Sequence, residues 1–179
     1  MSEQQKRLLA LEPLPNYSET VGRWLRALEN VRRRTKETLE GLHPQVVDWA
    51  PEGGANTIGS LLYHIAIVEA DWLYVEVLEQ PFPADVQKWL DRPMRNEQGR
   101  LFPAEGESLE EHIARLDAIR ARLMEAFREL TDVDFRRTRH FEQYEVTPEW
   151  VLYHLSQHEA EHRGQIGELR AWAERALDL

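Results

Sequence analysis

Four stretches of this chain carry apolar residues at the three-and-four spacing of a helix, and no alternating run of strand length competes with them. After a proline-marked start ending at Pro15, Ser18 is placed to cap a helix with Val21, Trp24, Leu25, Leu28 and Val31 on one face, which Gly41 and Pro44 end. A Gly53-Gly54 turn leads to Asn56 or Thr57 as cap of a second helix, with Ile58, Leu61, Ile65, Val68, Trp72 and Val75 on one face and His64 beside it. Ser108-Leu109-Glu110-Glu111 is a capping box for a third, bearing Ile113, Leu116, Ile119, Leu123, Phe127 and Leu130. Thr147-Pro148-Glu149 supplies a cap, a first-turn proline and an acid for the fourth.

Pro81, Pro83, Pro93 and Pro103, with Gly99 and Gly106, make residues 80–107 too broken for regular helix, apart from a turn at 86–90, and residues 131–146 form a second irregular connector. The pattern predicts an all-α fold: a four-helix bundle with long connections between helices 2 and 3 and between helices 3 and 4, as a single domain over residues 1–179.

A net charge of -10 opposes a polyanion partner, and the basic clusters Arg32-Arg33-Arg34 and Arg136-Arg137-Thr138-Arg139 are short and flanked by acids, so no nucleic acid is expected. With no cysteine, the chain has neither disulfide, thiolate ligand nor cysteine nucleophile, and thiol chemistry would need an outside thiol. Residues 1–7 lead into no apolar run, and 18 uncharged apolar residues never occur consecutively. A soluble cytoplasmic protein without a membrane partner is the expectation.

The fourth helix carries His154, His158 and His162 four residues apart, on one face. Imidazole is a favoured ligand of zinc and nickel, so an i, i+4 pair is half a metal site. Each step of four turns about 40° around the helix, so His154 and His162 diverge by about 80°. One adjacent pair with a ligand from another helix is the easier arrangement, and either pair fits. Of the other histidines, His43 precedes Pro44 in a turn, His140 lies in a polar connector, and His112 falls in a first turn beside acids. His64, among Leu61, Leu62, Ile65 and Val68, is the one expected inside and the candidate third ligand. The bland alternative is a set of hydrogen-bonded polar-face or core histidines.

Two segments, Gly53-Gly54-Ala55-Asn56-Thr57-Ile58-Gly59-Ser60-Leu61-Leu62-Tyr63-His64-Ile65-Ala66 and His154-Leu155-Ser156-Gln157-His158-Glu159-Ala160-Glu161-His162-Arg163-Gly164-Gln165-Ile166, resemble the motifs of the DinB/YfiT-like metal-binding four-helix bundles. The resemblance implies a metal held by His64, His158 and His162, with His154 one turn before the pair. It also implies a thiol-dependent transferase using a low-molecular-weight thiol such as bacillithiol or mycothiol against an electrophilic substrate, and a homodimer. Three neutral imidazoles leave a divalent ion, zinc or nickel, with its full charge and an open position, the pattern of a catalytic site. Such an ion acidifies a bound water or thiol.

Glu161, Gln165 and His154 are candidates to orient a ligand ring or bound water, as is Asp71, two turns beyond His64. Trp72, Trp150, Trp172 and Tyr63 read as core or cavity wall, and Arg163 as a candidate partner for a thiol's carboxylate or as a solvated ion-pair residue. Residues 158–162 also satisfy the H-E-x-x-H and H-x-x-E-H metalloprotease patterns, but the extended motif is missing and few residues follow. A small-molecule hydrolase using metal-bound hydroxide shares the same ligands. A non-catalytic metal-binding stress protein would close the ion with a fourth ligand, His154 or an acid.

Overall fold

Ser18, Thr57, Ser108 and Thr147 each accept the backbone N–H three residues on, and these four caps start the four long helices. The computed structural model describes residues 8–53 and 56–179; the expectations for residues 1–7 and for Gly54 in the second turn lie outside them. The helices in chain order are α1 (Glu19–Leu39), α2 (Pro44–Val47), α3 (Ile58–Asp71), α4 (Ala84–Trp89), α5 (Leu109–Arg128), α6 (Asp132–Arg136) and α7 (Pro148–Leu177). The fold is thus mostly helical. Within the connector of residues 131–146, α6 and a two-stranded antiparallel hairpin replace the expected irregular chain. Its strands are β1 (Arg139–His140) and β2 (Glu145–Val146), with Arg139 opposite Val146.

α7 lies against α1 and α3, and α3 against α5. α3 departs from the one-sided helix expected of it: every residue from Ile58 to Ala70 is buried. The connector of residues 80–107 covers its remaining face. Tyr63 Oη donates to the Arg92 carbonyl at 2.8 Å and accepts from its N–H at 2.9 Å. The Ala104 N–H reaches Ser60 Oγ, while Val86, Leu90, Leu101 and Ala104 are buried. A helix covered on all sides shows no polar stripe. The segment Ile58–Val77 is long and apolar enough to span a membrane, but 83% of it is buried inside the protein, so its apolar surface serves the core.

Beyond Asp71 the helix widens into a π-helical segment, Trp72–Val77. The extra residue per turn shifts the faces, so Val75, expected on the apolar stripe, is 37% exposed, and Glu76 turns inward.

The four long helices meet at a buried ionic cluster. Arg32 of α1 donates from Nη2 to Glu69 Oε2 at 2.9 Å and from Nε to Glu159 Oε1 at 2.8 Å. Arg120 of α5 reaches Glu69 at 2.7 and 2.9 Å and Glu159 at 3.0 Å. Arg32 Nη1 also donates to the Leu116 carbonyl, and Arg120 Nη1 to the Leu28 carbonyl and to Glu29. Burial opposes the charge on Arg120, but Glu69 and Glu159 outweigh it and its pKa is raised. Glu159 is likewise held below the usual carboxylate range: burial works against its charge, and Arg32 and Arg120 prevail. Arg32, one of the short basic cluster Arg32-Arg33-Arg34 in the sequence, is an interior residue.

Candidate metal centre

α3 and α7 run antiparallel, because His64 meets His158 and His162 while Trp72, further along α3, meets the earlier Trp150 and His154. His158 Nε2 lies 3.2 Å from His64 Nε2 and 3.1 Å from His162 Nε2. Ligand nitrogens 2.0–2.1 Å from a tetrahedral ion stand about 3.3 Å apart, so the spacing matches a shared cation. One N–H can link only two of three such nitrogens; a cation at their centre engages all three lone pairs.

The protonation states suit a ligand set. Burial, then the charges His162, His64 and His154 would carry, push the His158 pKa down to about 3. Burial, His162 and Arg95 bring His64 down to about 4. Both rings are neutral near pH 7, as ligation requires. Gln165 Oε1 accepts from His162 Nδ1 at 2.8 Å, which places the ring hydrogen on Nδ1 and leaves Nε2 free. His64 Nδ1 is buried without a partner.

The three rings open into a pocket of about 330 Å³ also lined by Asn56, Arg95, Arg100, Leu101 and Gln165. Arg95 and Arg100 come from the proline-rich connector, brought there by a bridge between Arg95 and Leu101. Nothing in the sequence singled them out: the bridge is a short local turn with no periodic signature, and only the packing of the connector over α3 brings them to the three rings. Arg163 is not in this wall.

The other candidates fall elsewhere. His154 stacks on Trp150, with centroids 5.0 Å apart and planes at 5°, and lies 4.7 Å from Trp72 and 5.8 Å from His158. Glu161 is exposed and accepts from Gln157 Nε2 at 2.9 Å. Asp71 is half-buried, with its carboxyl raised by burial. Tyr63 is core; Trp72 and Trp150 line a second cavity, and Trp172 a smaller one beside Gln165.

His112, expected in an outer first turn, is 1% exposed. It packs so close to Gly59 that a Cβ there would lie 3.0 Å from its Nε2. Its Nδ1 meets Arg115 and Glu107, away from the three-histidine group. His43 caps α2, and His140 pairs with Glu145.

These features define a helical protein with three imidazoles converging from two antiparallel helices. The chain belongs to the DinB superfamily, whose family model matches residues 27–166 and so includes all three histidines. No curated protein matches the sequence.

Proposed function

We propose that His64, His158 and His162 hold one divalent metal ion through Nε2, and that the protein is a thiol-dependent S-transferase acting on a small electrophile. The observation carrying this reading is the convergence of three Nε2 atoms at ligand spacing in a pocket open on one side. A bound divalent ion would supply the positive charge that favours the deprotonated form of a thiol.

The chain's own residues prepare the site for that chemistry. Gln165 fixes the His162 tautomer, and burial keeps His64 and His158 neutral. Arg95 and Arg100 place positive charge at the pocket, where it attracts an anionic thiol. The chain has no cysteine, so the thiol comes from outside it, and the family resemblance implies a low-molecular-weight thiol such as bacillithiol or mycothiol. In the transfer the thiol proton passes to solvent, the sulfur bonds to the electrophilic carbon, and the leaving group departs with the electron pair of the broken bond.

The metalloprotease reading loses support from Glu159, the glutamate of the H-E-x-x-H pattern, because its carboxylate is engaged by Arg32 and Arg120. Zinc or nickel, a four-helix bundle forming one domain over residues 1–179, a homodimer and a cytoplasmic location complete the proposal.

The test is metal content by mass spectrometry on untagged protein, wild type beside His158→Ala, followed by turnover of electrophiles with and without thiols. Near-stoichiometric zinc or nickel that is lost in the variant, with thiol-dependent turnover, is the expected result. Protein that neither contains nor takes up either metal overturns the proposal. Thiol-independent turnover would identify a hydrolase, and bound metal without any turnover a metal-binding protein.

A further inference from the structure

Trp72 lies eight residues beyond His64 and Trp150 eight before His158, about 12 Å along the two helices from the three-histidine group. Their ring centroids are 5.3 Å apart at 49°, and Tyr144, from the turn of the β1–β2 hairpin, stands 6.2 Å from Trp72. With Val146 and Glu145 these rings line an open cavity of about 550 Å³. Among the described residues, no lysine or arginine lines it. The nearby arginines of the same connector are engaged: Arg137 and Arg139 lie against Glu79, and Arg136 against Glu149.

Acids stand behind the rings. Glu76 is 4% exposed and accepts from Tyr144 Oη at 2.7 Å, while its other carboxylate oxygen meets no donor. Burial, then the nearby Asp71 in part, raise the Glu76 carboxyl above its ordinary value, with the Tyr144 hydrogen bond opposing. Glu145, whose Oε1 meets His140 Nδ1 at 2.8 Å, also lines the cavity. Aromatic faces carry the negative end of the ring quadrupole, so rings and carboxylates create a potential of one sign. An anion is repelled there, and a neutral apolar ligand gains only contact area.

We infer that this cavity binds an organic cation through a methylated ammonium group seated against Trp72, Trp150 and Tyr144. The site requires no ion at the three histidines.

The experiment is titration of the full-length, metal-free protein with choline and, separately, with its neutral isostere 3,3-dimethyl-1-butanol, following the indole N–H resonances. Saturable shifts of the Trp72 and Trp150 signals with choline, at an affinity about tenfold above that of the isostere, are expected. Trp150→Ala should weaken choline binding by about tenfold, and Glu76→Gln should weaken it while leaving the isostere unaffected. Circular dichroism confirms that both variants fold. Equal binding of cation and isostere overturns the inference, as does the absence of a saturable response to choline.

Discussion

His158 and Glu159 are adjacent on α7 and face different surroundings: His158 Nε2 meets His64 and His162, whereas the Glu159 carboxylate meets Arg32 and Arg120. Successive helical positions are about 100° apart, so one turn of α7 faces both the candidate metal centre and the ionic cluster that joins the four long helices. The two roles separate experimentally.

Glu159→Ala leaves the two buried guanidiniums short of a carboxylate. Breaking a buried pair costs about 3 to 5 kcal/mol, and urea denaturation should show a loss of that size. Metal uptake per folded molecule should stay at the wild-type level. A variant of wild-type stability would mean that the cluster tolerates the missing charge and that Glu159 has another role.

Gln165→Ala removes the acceptor that holds the His162 hydrogen on Nδ1. Loss of such an orienting partner typically lowers metal affinity by about 10- to 100-fold. Competition titration with a zinc chelator should show this drop. Because Gln165 is exposed, the thermal midpoint of the metal-free protein should barely move.

The metal-free protein should lose stability as pH falls from about 6.5 toward 5. His64 and His158 have folded values of about 4 and about 3, below the ordinary 6.5, so over this range the unfolded chain binds protons that the folded chain does not. Above pH 6.5 this contribution is constant. Urea midpoints from pH 7.5 to 5 should give a proton uptake on unfolding to which His64 and His158 contribute about two, with His112 and His154, also lowered by burial, adding to it, and His158→Ala should reduce the total by about one. An identical slope in the variant would show that His158 does not titrate in this way.

Gly59→Ala tests the packing of α3 beneath the connector. A Cβ there would sit 3.0 Å from His112 Nε2, 3.1 Å from the Ala104 carbonyl oxygen and 3.2 Å from Asp48 Oδ1. Helix propensity favours alanine by about 1 kcal/mol, but crowding against a buried ring and a backbone carbonyl costs about 1 to 3 kcal/mol. A net destabilisation in thermal melts is the expected outcome, and a stabilised variant would show that the connector yields.

Local chemistry was legible because it acts within a few residues. A hydroxyl can reach the N–H three positions on, so Ser18, Ser108 and Thr147 marked three helix starts and Asn56 or Thr57 the other, where Thr57 is the cap, and the spacing of four placed His158 and His162 one turn apart. His64 was legible as the inward histidine of an apolar helix.

Contacts between distant segments decided the rest. Arg32 reads as one of a short basic cluster until Glu69 and Glu159 meet it from two other helices, and His112 as a first-turn residue beside acids until Glu107 and Arg115 enclose it. Arg95 and Arg100 read as loop residues until the connector folds over α3 and turns them toward the three imidazoles. A charge is buried, or a pocket acquires its sign, only when separate segments pack together. The sequence by itself determined the helix caps and the histidine spacing, while the tertiary structure decided which charges were paired inside and which faced the site.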